Sequence, residues 1–384
     1  MALYEKHQES IEKAIQANRE RTFYAHYPEH PKVYGKENSE AGQQSFEAMK
    51  GQKFQELKQD GAKEWVGEEV SPYTQEKLGI TYPKFDVDTL IQRAQAAYKE
   101  WRDVDYRERA GILVEALENI KNRFFEIGFA TQHTTGQAFM MAFQASGPHG
   151  NDRALEAISM GVAEMEKFPN QAHWQKPMGK MGDVHVEKEW EPVPKGISLA
   201  IGVSTFPVWN SVAGIFGSLV TGNPVIWKPH PMSILPAAIE IAEIQKTFEA
   251  HGYNPHIIQL APDEPKNQIT KDLAEHPEVK IIDFTGSKEF GDYVESLEHQ
   301  GKVTFTEKSG VNSMILHSME NTKESFQNIA FSLCLYSGQM CTAPQNIFVP
   351  EDGIEADGEK LSFDDVVQKL TESIQGLVDH PKMG

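Results

Sequence analysis

Residues 197–203 read ISLAIGV, and three further short apolar runs follow: NPVIWK at 223–228, HIIQL at 256–260 and KIIDFTG at 280–286. Each is rich in branched or bulky side chains and shows little polar alternation, as in strands buried on both faces. Helical runs at 210–221, 235–250, 265–275 and 288–298 separate them. Repeated strand–helix units predict an α/β fold built on a Rossmann-type parallel sheet with helices on both faces. Such sheets take ligands beyond the carboxyl ends of their strands. Lys228 ends one run, and Gly286, Ser287 and Gly291 lie where another turns into a helix. A glycine there lets a pyrophosphate approach the backbone, and the helix start offers N–H groups. The G-x-G-x-x-G fingerprint is absent, and an ordinary strand–helix turn is the competing reading.

After about residue 309 a second unit begins, with a helix over 322–337, a strand near 345–349 and a helix over 363–378. Between the first two lies FSLCLYSGQMCTA, residues 331–343. The apolar helical run Phe326, Ile329, Ala330 and Leu333 ends at Ser337 and Gly338, which places Cys341 on a turn among small neighbours. An accessible thiolate with a lowered pKa attacks carbonyl carbon. The plainer reading makes Cys341 a buried structural cysteine. Cys334, inside the helix, reads as core.

Upstream, 183–191 (DVHVEKEWE) alternates strictly and predicts a half-exposed strand, with Val184, Val186 and Trp190 on one face. Two amphipathic helices precede it, one carrying Leu90, Ile91, Ala94, Tyr98 and Trp101, the next Ile112, Leu113, Leu117, Ile120 and Phe124. Met140, Met141 and Phe143 read as core, and His133 and His149 as structural or surface residues. Residues 3–24 form a polar helix with a thin apolar stripe. Residues 25–80, rich in Gly, Pro, Gln and Glu, can wrap a surface without building a core. The chain thus divides into an arm at 1–80, for which a disordered tail is the competing reading, a nucleotide-binding domain at 81–308 and a further α/β domain at 309–384.

The formal net charge of −19 opposes nucleic-acid binding. No run approaches the ~20 apolar residues of a membrane span. The charged start lacks the apolar stretch of a signal peptide. Two cysteines seven residues apart suit a reducing cytoplasm, and no Cys/His cluster has zinc spacing, so no metal is expected.

Four motifs carry a resemblance to the aldehyde dehydrogenase superfamily. GQMC resembles its nucleophile motif, with Cys341 as the thiol. FTEKSGVNS (305–313) resembles its general-base segment, with Glu307 thirty-four residues before the thiol. IIDFTGSKEFG (281–291) and TFPVWNSVAGIFGSLVTGNPVIWKPHP (205–231) are similar to its cofactor-cradling stretches. Within the superfamily, HTTGQAFMMAFQASGPHGNDR (133–153) and STFPVWN (204–210) resemble the PaaN type of phenylacetic acid degradation.

The resemblance implies NADP- or NAD-dependent oxidation of an aldehyde, coenzyme A-linked if the subfamily holds. It assigns Cys341 as nucleophile, Glu307 as base and Lys228, Phe206, Gly286, Ser287 and Gly291 to the cofactor. The oxyanion asparagine of the family is replaced by Thr205, ahead of Phe206 and Pro207, with Asn210 as a second donor candidate. Pro231 stands where the family often has a ribose-binding acid, which favours NADP over NAD. The 183–191 strand lies where the family has a subunit-joining hairpin, implying a homodimer or homotetramer. Only 43 residues follow Cys341, so the resemblance implies a catalytic domain incomplete at its carboxyl end. Two alternatives remain: a coenzyme A-acylating dehydrogenase, and a non-catalytic nucleotide-binding protein on the same fold. Replacing Cys341 by serine is expected to abolish NADPH formation, whereas Cys334→Ser leaves it intact. Absorbance at the nicotinamide band measures both, and equal loss would refute the assignment.

Overall fold

The computed structural model describes residues 2–380. Its centre is a five-stranded parallel sheet of β1 (Ile197–Ile201), β2 (Val225–Lys228), β3 (Ile258–Leu260), β4 (Val279–Gly286) and β5 (Val303–Lys308). The spatial order is β3-β2-β1-β4-β5, so the chain reverses its direction of travel between β1 and β4. Four helices connect these strands: α1 (Trp209–Val220), α2 (Leu235–Ala250), α3 (Thr270–Glu275) and α4 (Lys288–Ser296). Both faces are covered, which is why the strands carry apolar residues without alternation. Leu199, Ile226, Ile282 and Phe284 pack towards helix Val87–Trp101, α3 and α4. Ala200, Val225 and Trp227 pack towards α1 and α2.

The fifth strand lies outside the four apolar runs, with Glu307 near its end. VTFTEK is polar and half-exposed, and it joins the sheet by pairing its backbone with β4, Thr285 opposite Glu307 and Gly286 opposite Lys308. Some expected boundaries also move. The helix expected at 265–275 is the single turn-and-a-half Thr270–Glu275. The strand expected at 183–191 is Asp183–Glu189, hairpinned with Gln171–Pro177, and both of its faces are exposed rather than one.

Residues before 85 contribute to the core more than their composition suggests. Helix Ala2–Glu20 buries Ile11, Ala14 and Ile15 against helices Tyr106–Lys121 and Pro148–Met165. Gly111 permits the approach, since a Cβ there would stand 2.4 Å from the Tyr4 amide nitrogen. Helix Lys36–Met49 buries one residue, Phe46, whose ring stacks on His133 at 4.8 Å. A single buried position is too faint a pattern to read from sequence.

The second unit pairs β6 (Asn312–Ile315) in parallel with β7 (Pro344–Phe348) and packs them with α5 (Thr322–Cys334) and α6 (Phe363–Val378). Leu316, Phe326, Ile329, Ile354 and Val366 form its core. The helix expected over 322–337 stops at Cys334, where Tyr336 and Ser337 adopt φ of 53° and 57°. Cys334, read as core, is half-buried.

Glu69 ties the amino-terminal segment to the sheet. Its buried carboxylate accepts the amides of Ile234 (2.5 Å) and Leu235 (2.9 Å) at the start of α2, and the Tyr82 hydroxyl at 2.5 Å. Burial raises the pKa of Glu69, opposed by these three donors. Glu69→Ala leaves them unpaired and is expected to cost about 3 kcal/mol, measured by urea unfolding, with Glu69→Gln costing less.

Candidate functional site

Cys341 is exposed, on the turn between α5 and β7. Three successive residues before it, Tyr336, Ser337 and Gly338, have positive φ. Non-glycine residues rarely hold this conformation without support. Here the support is local packing. Tyr336 is buried with its ring edge-on to Phe206, centroids 5.0 Å apart, beside Ala138 and Met141. Its amide reaches the Met141 Sδ at 2.9 Å, and Gln339 Nε2 donates to the Thr135 carbonyl at 3.0 Å. The segment 133–146 is thus the bed on which the thiol's turn rests. Asn312, the first residue of β6, completes the turn by donating from Nδ2 to the Cys341 carbonyl at 2.6 Å. Sequence reasoning gave Asn312 no role, although it stands five residues after Glu307 in the quoted base segment.

Glu307 is exposed near the end of β5, and its Oε2 accepts a hydrogen bond from Asn210 Nδ2 at 3.1 Å. Two of the four catalytic candidates therefore meet, with one of the two Asn210 amide protons on the carboxylate. Thr205 is half-buried in the loop after β1, its carbonyl accepting Gln137 Nε2 at 2.6 Å. Among the described residues no hydrogen bond joins the Cys341 thiol to Glu307. The connection runs through the backbone, from β5 by way of residues 309–311 to Asn312.

The candidates at the carboxyl edge divide. Lys228 is buried at the end of β2, with Nζ 2.7 Å from Asp263 Oδ1 and donating to the Pro229 carbonyl at 3.0 Å. Burial lowers the Lys228 pKa and raises that of Asp263, and the pairing opposes both shifts. Gly286 closes β4, and Ser287 caps α4 by accepting the Phe290 amide at 3.3 Å. Ser309 Oγ accepts the Lys288 amide at 3.2 Å, so the helix start already satisfies two of its N–H groups. Gly291 sits inside the α4–β5 packing: a Cβ there would fall 2.5 Å from Lys308 Cγ. Phe206 is buried beneath Tyr336.

His149 bonds Glu29 at 2.9 Å, and His133 Nδ1 lies 2.8 Å from Ser71 Oγ. Among the described residues no cluster of three or more His, Cys, Asp and Glu could hold a metal ion. No helix among them is long and apolar enough to cross a membrane.

A family model described as "Aldehyde dehydrogenase family" matches residues 59–378. An N-succinylglutamate 5-semialdehyde dehydrogenase of Burkholderia cenocepacia is 25% identical over 308 residues, covering 78% of this chain and 58% of that protein. A benzaldehyde dehydrogenase (NAD(+)) of Pseudomonas putida is 26% identical over 301 residues, with the same two shares, 78% and 58%. The chain therefore spans just over half the length of these curated relatives. Among solved structures, an NAD-dependent aldehyde dehydrogenase from Burkholderia multivorans superposes with a TM-score of 0.93 at 43% identity, over 98% of this chain and 68% of that one. A 1-pyrroline-5-carboxylate dehydrogenase from Thermus shares the fold, with a TM-score of 0.72 at 18% identity over 92% of this chain and 67% of that one.

The clasp of Asn312 on the Cys341 carbonyl can be tested without turnover. Asn312→Ala removes the bond to the Cys341 carbonyl, worth about 1 kcal/mol, and a longer one to the Ala343 carbonyl at 3.4 Å, so amides of residues 339–343 are expected to exchange at least about fivefold faster. Hydrogen-exchange mass spectrometry measures this, and unchanged protection would show the clasp to be idle.

Proposed function

Since the chain belongs to the aldehyde dehydrogenase family, we propose that it serves the NAD(P)-dependent oxidation of an aldehyde to a carboxylic acid, with Cys341 as nucleophile and Glu307 as base. The observation that carries this reading is the exposed thiol on a turn braced by Tyr336 and Asn312, in the same fold as a carboxylate oriented by Asn210.

The Cys341 sulfur adds to the aldehyde carbon and forms a thiohemiacetal. Its oxyanion takes hydrogen bonds from the Cys341 amide and from the Thr205 hydroxyl or the second N–H of Asn210, whose first N–H is on Glu307. A nicotinamide held at the carboxyl edge would supply hydride acceptance, and Cys341 would then carry the acyl group as a thioester. Glu307 then takes a proton from water as the water adds to the thioester, and the thiolate leaves.

The carboxyl edge fits a dinucleotide. The sheet order reverses there, Gly286 presents no side chain, and the indole Nε1 of Trp227 is buried beside Gly202 with no hydrogen-bond partner among the described residues. We favour NAD over the NADP suggested by Pro231. The Lys228 charge that would hold a 2′-phosphate is already engaged by Asp263, which comes from beyond β3. For the substrate, the resemblance of 133–153 and 204–210 to the PaaN type supports a coenzyme A-linked semialdehyde, whereas the named curated relatives act on other aldehydes. The exposed hairpin Gln171–Pro177/Asp183–Glu189 supports a homo-oligomer, with Trp174, Val184 and Val186 sharing one exposed face.

Glu307→Gln separates the two enzyme readings. A loss of acid formation of about 10²–10⁴-fold supports hydrolysis, and little loss with coenzyme A present supports acylation instead. Steady-state kcat/KM is expected to favour NAD over NADP by at least about tenfold, and Asp263→Asn to narrow that gap; preference for NADP would reject the cofactor assignment.

A further inference from the structure

One carboxyl group beside the proposed site has no role in the mechanism above. Asp283 lies in the middle of β4, on the face that meets α1. That face is tiered. Asn210 of α1 meets Glu307 on the upper tier. Four residues further along α1, Gly214 meets Asp283, two residues before Thr285, the strand partner of Glu307. A Cβ at Gly214 would lie 2.0 Å from Asp283 Oδ2, so the missing side chain is what makes room for the carboxyl. Below it opens a cavity of about 530 Å³, lined by Gly217, Ile281, Val303, Phe305 and Lys195 as well as Asp283 itself.

Glu307 and Asp283 are diagonal neighbours on adjacent strands; among the described residues no hydrogen bond joins their carboxyls, and the diagonal spacing is one that a single water can span. The charged groups acting on Asp283 are Glu307 of β5 and Arg153 of helix Pro148–Met165. Around it α1 presents glycines and β1 presents Ala200, neither of them charged, and Lys195 stands on the cavity wall. Burial first, and then the Glu307 charge, raise the Asp283 pKa to about 7, with Arg153 opposing.

We infer that Asp283 is a positioning residue that acts through Glu307, receiving the proton that Glu307 takes from the hydrolytic water and passing it to water in the cavity beneath. This rests on Glu307 as the base. The proton balance closes: the C–O bond to water forms, the C–S bond to Cys341 breaks, and the water's proton moves to Glu307, then to Asp283, then to solvent. An ionised Asp283 can accept the proton from Glu307, and losing it to cavity water returns Asp283 to that form for the next turnover.

The coupling is read by a carbon-13 carboxyl titration of the chain. Asp152 is also raised, to about 6, so the Asp283 signal is identified as the near-neutral one that vanishes in Asp283→Asn; it is expected to move to lower pH in Glu307→Gln, because a like charge has been removed. Near-neutral midpoints all unmoved by Glu307→Gln overturn the inference, and that comparison holds even if Asp283→Asn fails to fold. In kinetics, Asp283→Asn is expected to slow acid formation about tenfold and to remove the limb of the kcat–pH profile near neutrality. An unchanged profile overturns it. If Glu307→Gln forms acid at the unmodified rate, the base assignment falls instead; if Glu307→Gln is inactive while Asp283→Asn is indistinguishable from the parent, only the present inference falls.

Discussion

Tyr336 holds the two units of this chain in register. Its ring is buried against Phe206, in the loop that leaves β1, and its amide reaches Met141. The backbone at Tyr336 and Ser337 pays for this with two left-handed residues. Conformations of that kind cost of order 1 kcal/mol each and persist where packing over-determines them. Cys341, five residues on, inherits its place from the same contact. A thiol on an unsupported loop would sample many positions, whereas this one leaves a turn fixed at Tyr336, at Gln339 and at its own carbonyl.

The arm and the sheet are similarly interdependent. Glu69 caps the start of α2, Gln59 bonds both the amide and the carbonyl of Leu260 in β3, and Phe46 stacks on His133. Residues before 85 thus satisfy buried polar groups of the main body. A segment that lacks enough apolar residues for its own core is ordered by the donors and acceptors it completes.

The sheet was legible because its strands are buried on both faces and their apolar runs are unbroken. Helix Phe363–Val378 was legible through its apolar periodicity, and its start is fixed by the reciprocal bonds of Ser362 and Asp365. What the apolar runs leave out depends on pairing rather than pattern. VTFTEK becomes a strand because β4 offers it a backbone edge, and QAHWQKP because Asp183–Glu189 folds back on it. The end of α5 is set by the burial of Tyr336, a tertiary contact. Of the candidate residues, Asn210 and Glu307 were named singly, but their hydrogen bond joins positions 97 residues apart and needs the fold to be seen. Asp283 did leave a trace, a carboxylate inside the run IIDF, where an apolar residue would be the ordinary choice.

The hairpin at Gln171–Pro177 and Asp183–Glu189 has a consequence of its own. Water wets both sides of this ribbon, and two strands alone are marginal in water. Gly179 and Gly182, with φ of 61° and 80°, fix the bend, but little on either flank penalises a slipped alignment. In the homo-oligomer proposed above, its alignment would be decided by the surface lying against Trp174 and Val186, and the fraction of ribbon in the right pairing would become a function of protein concentration.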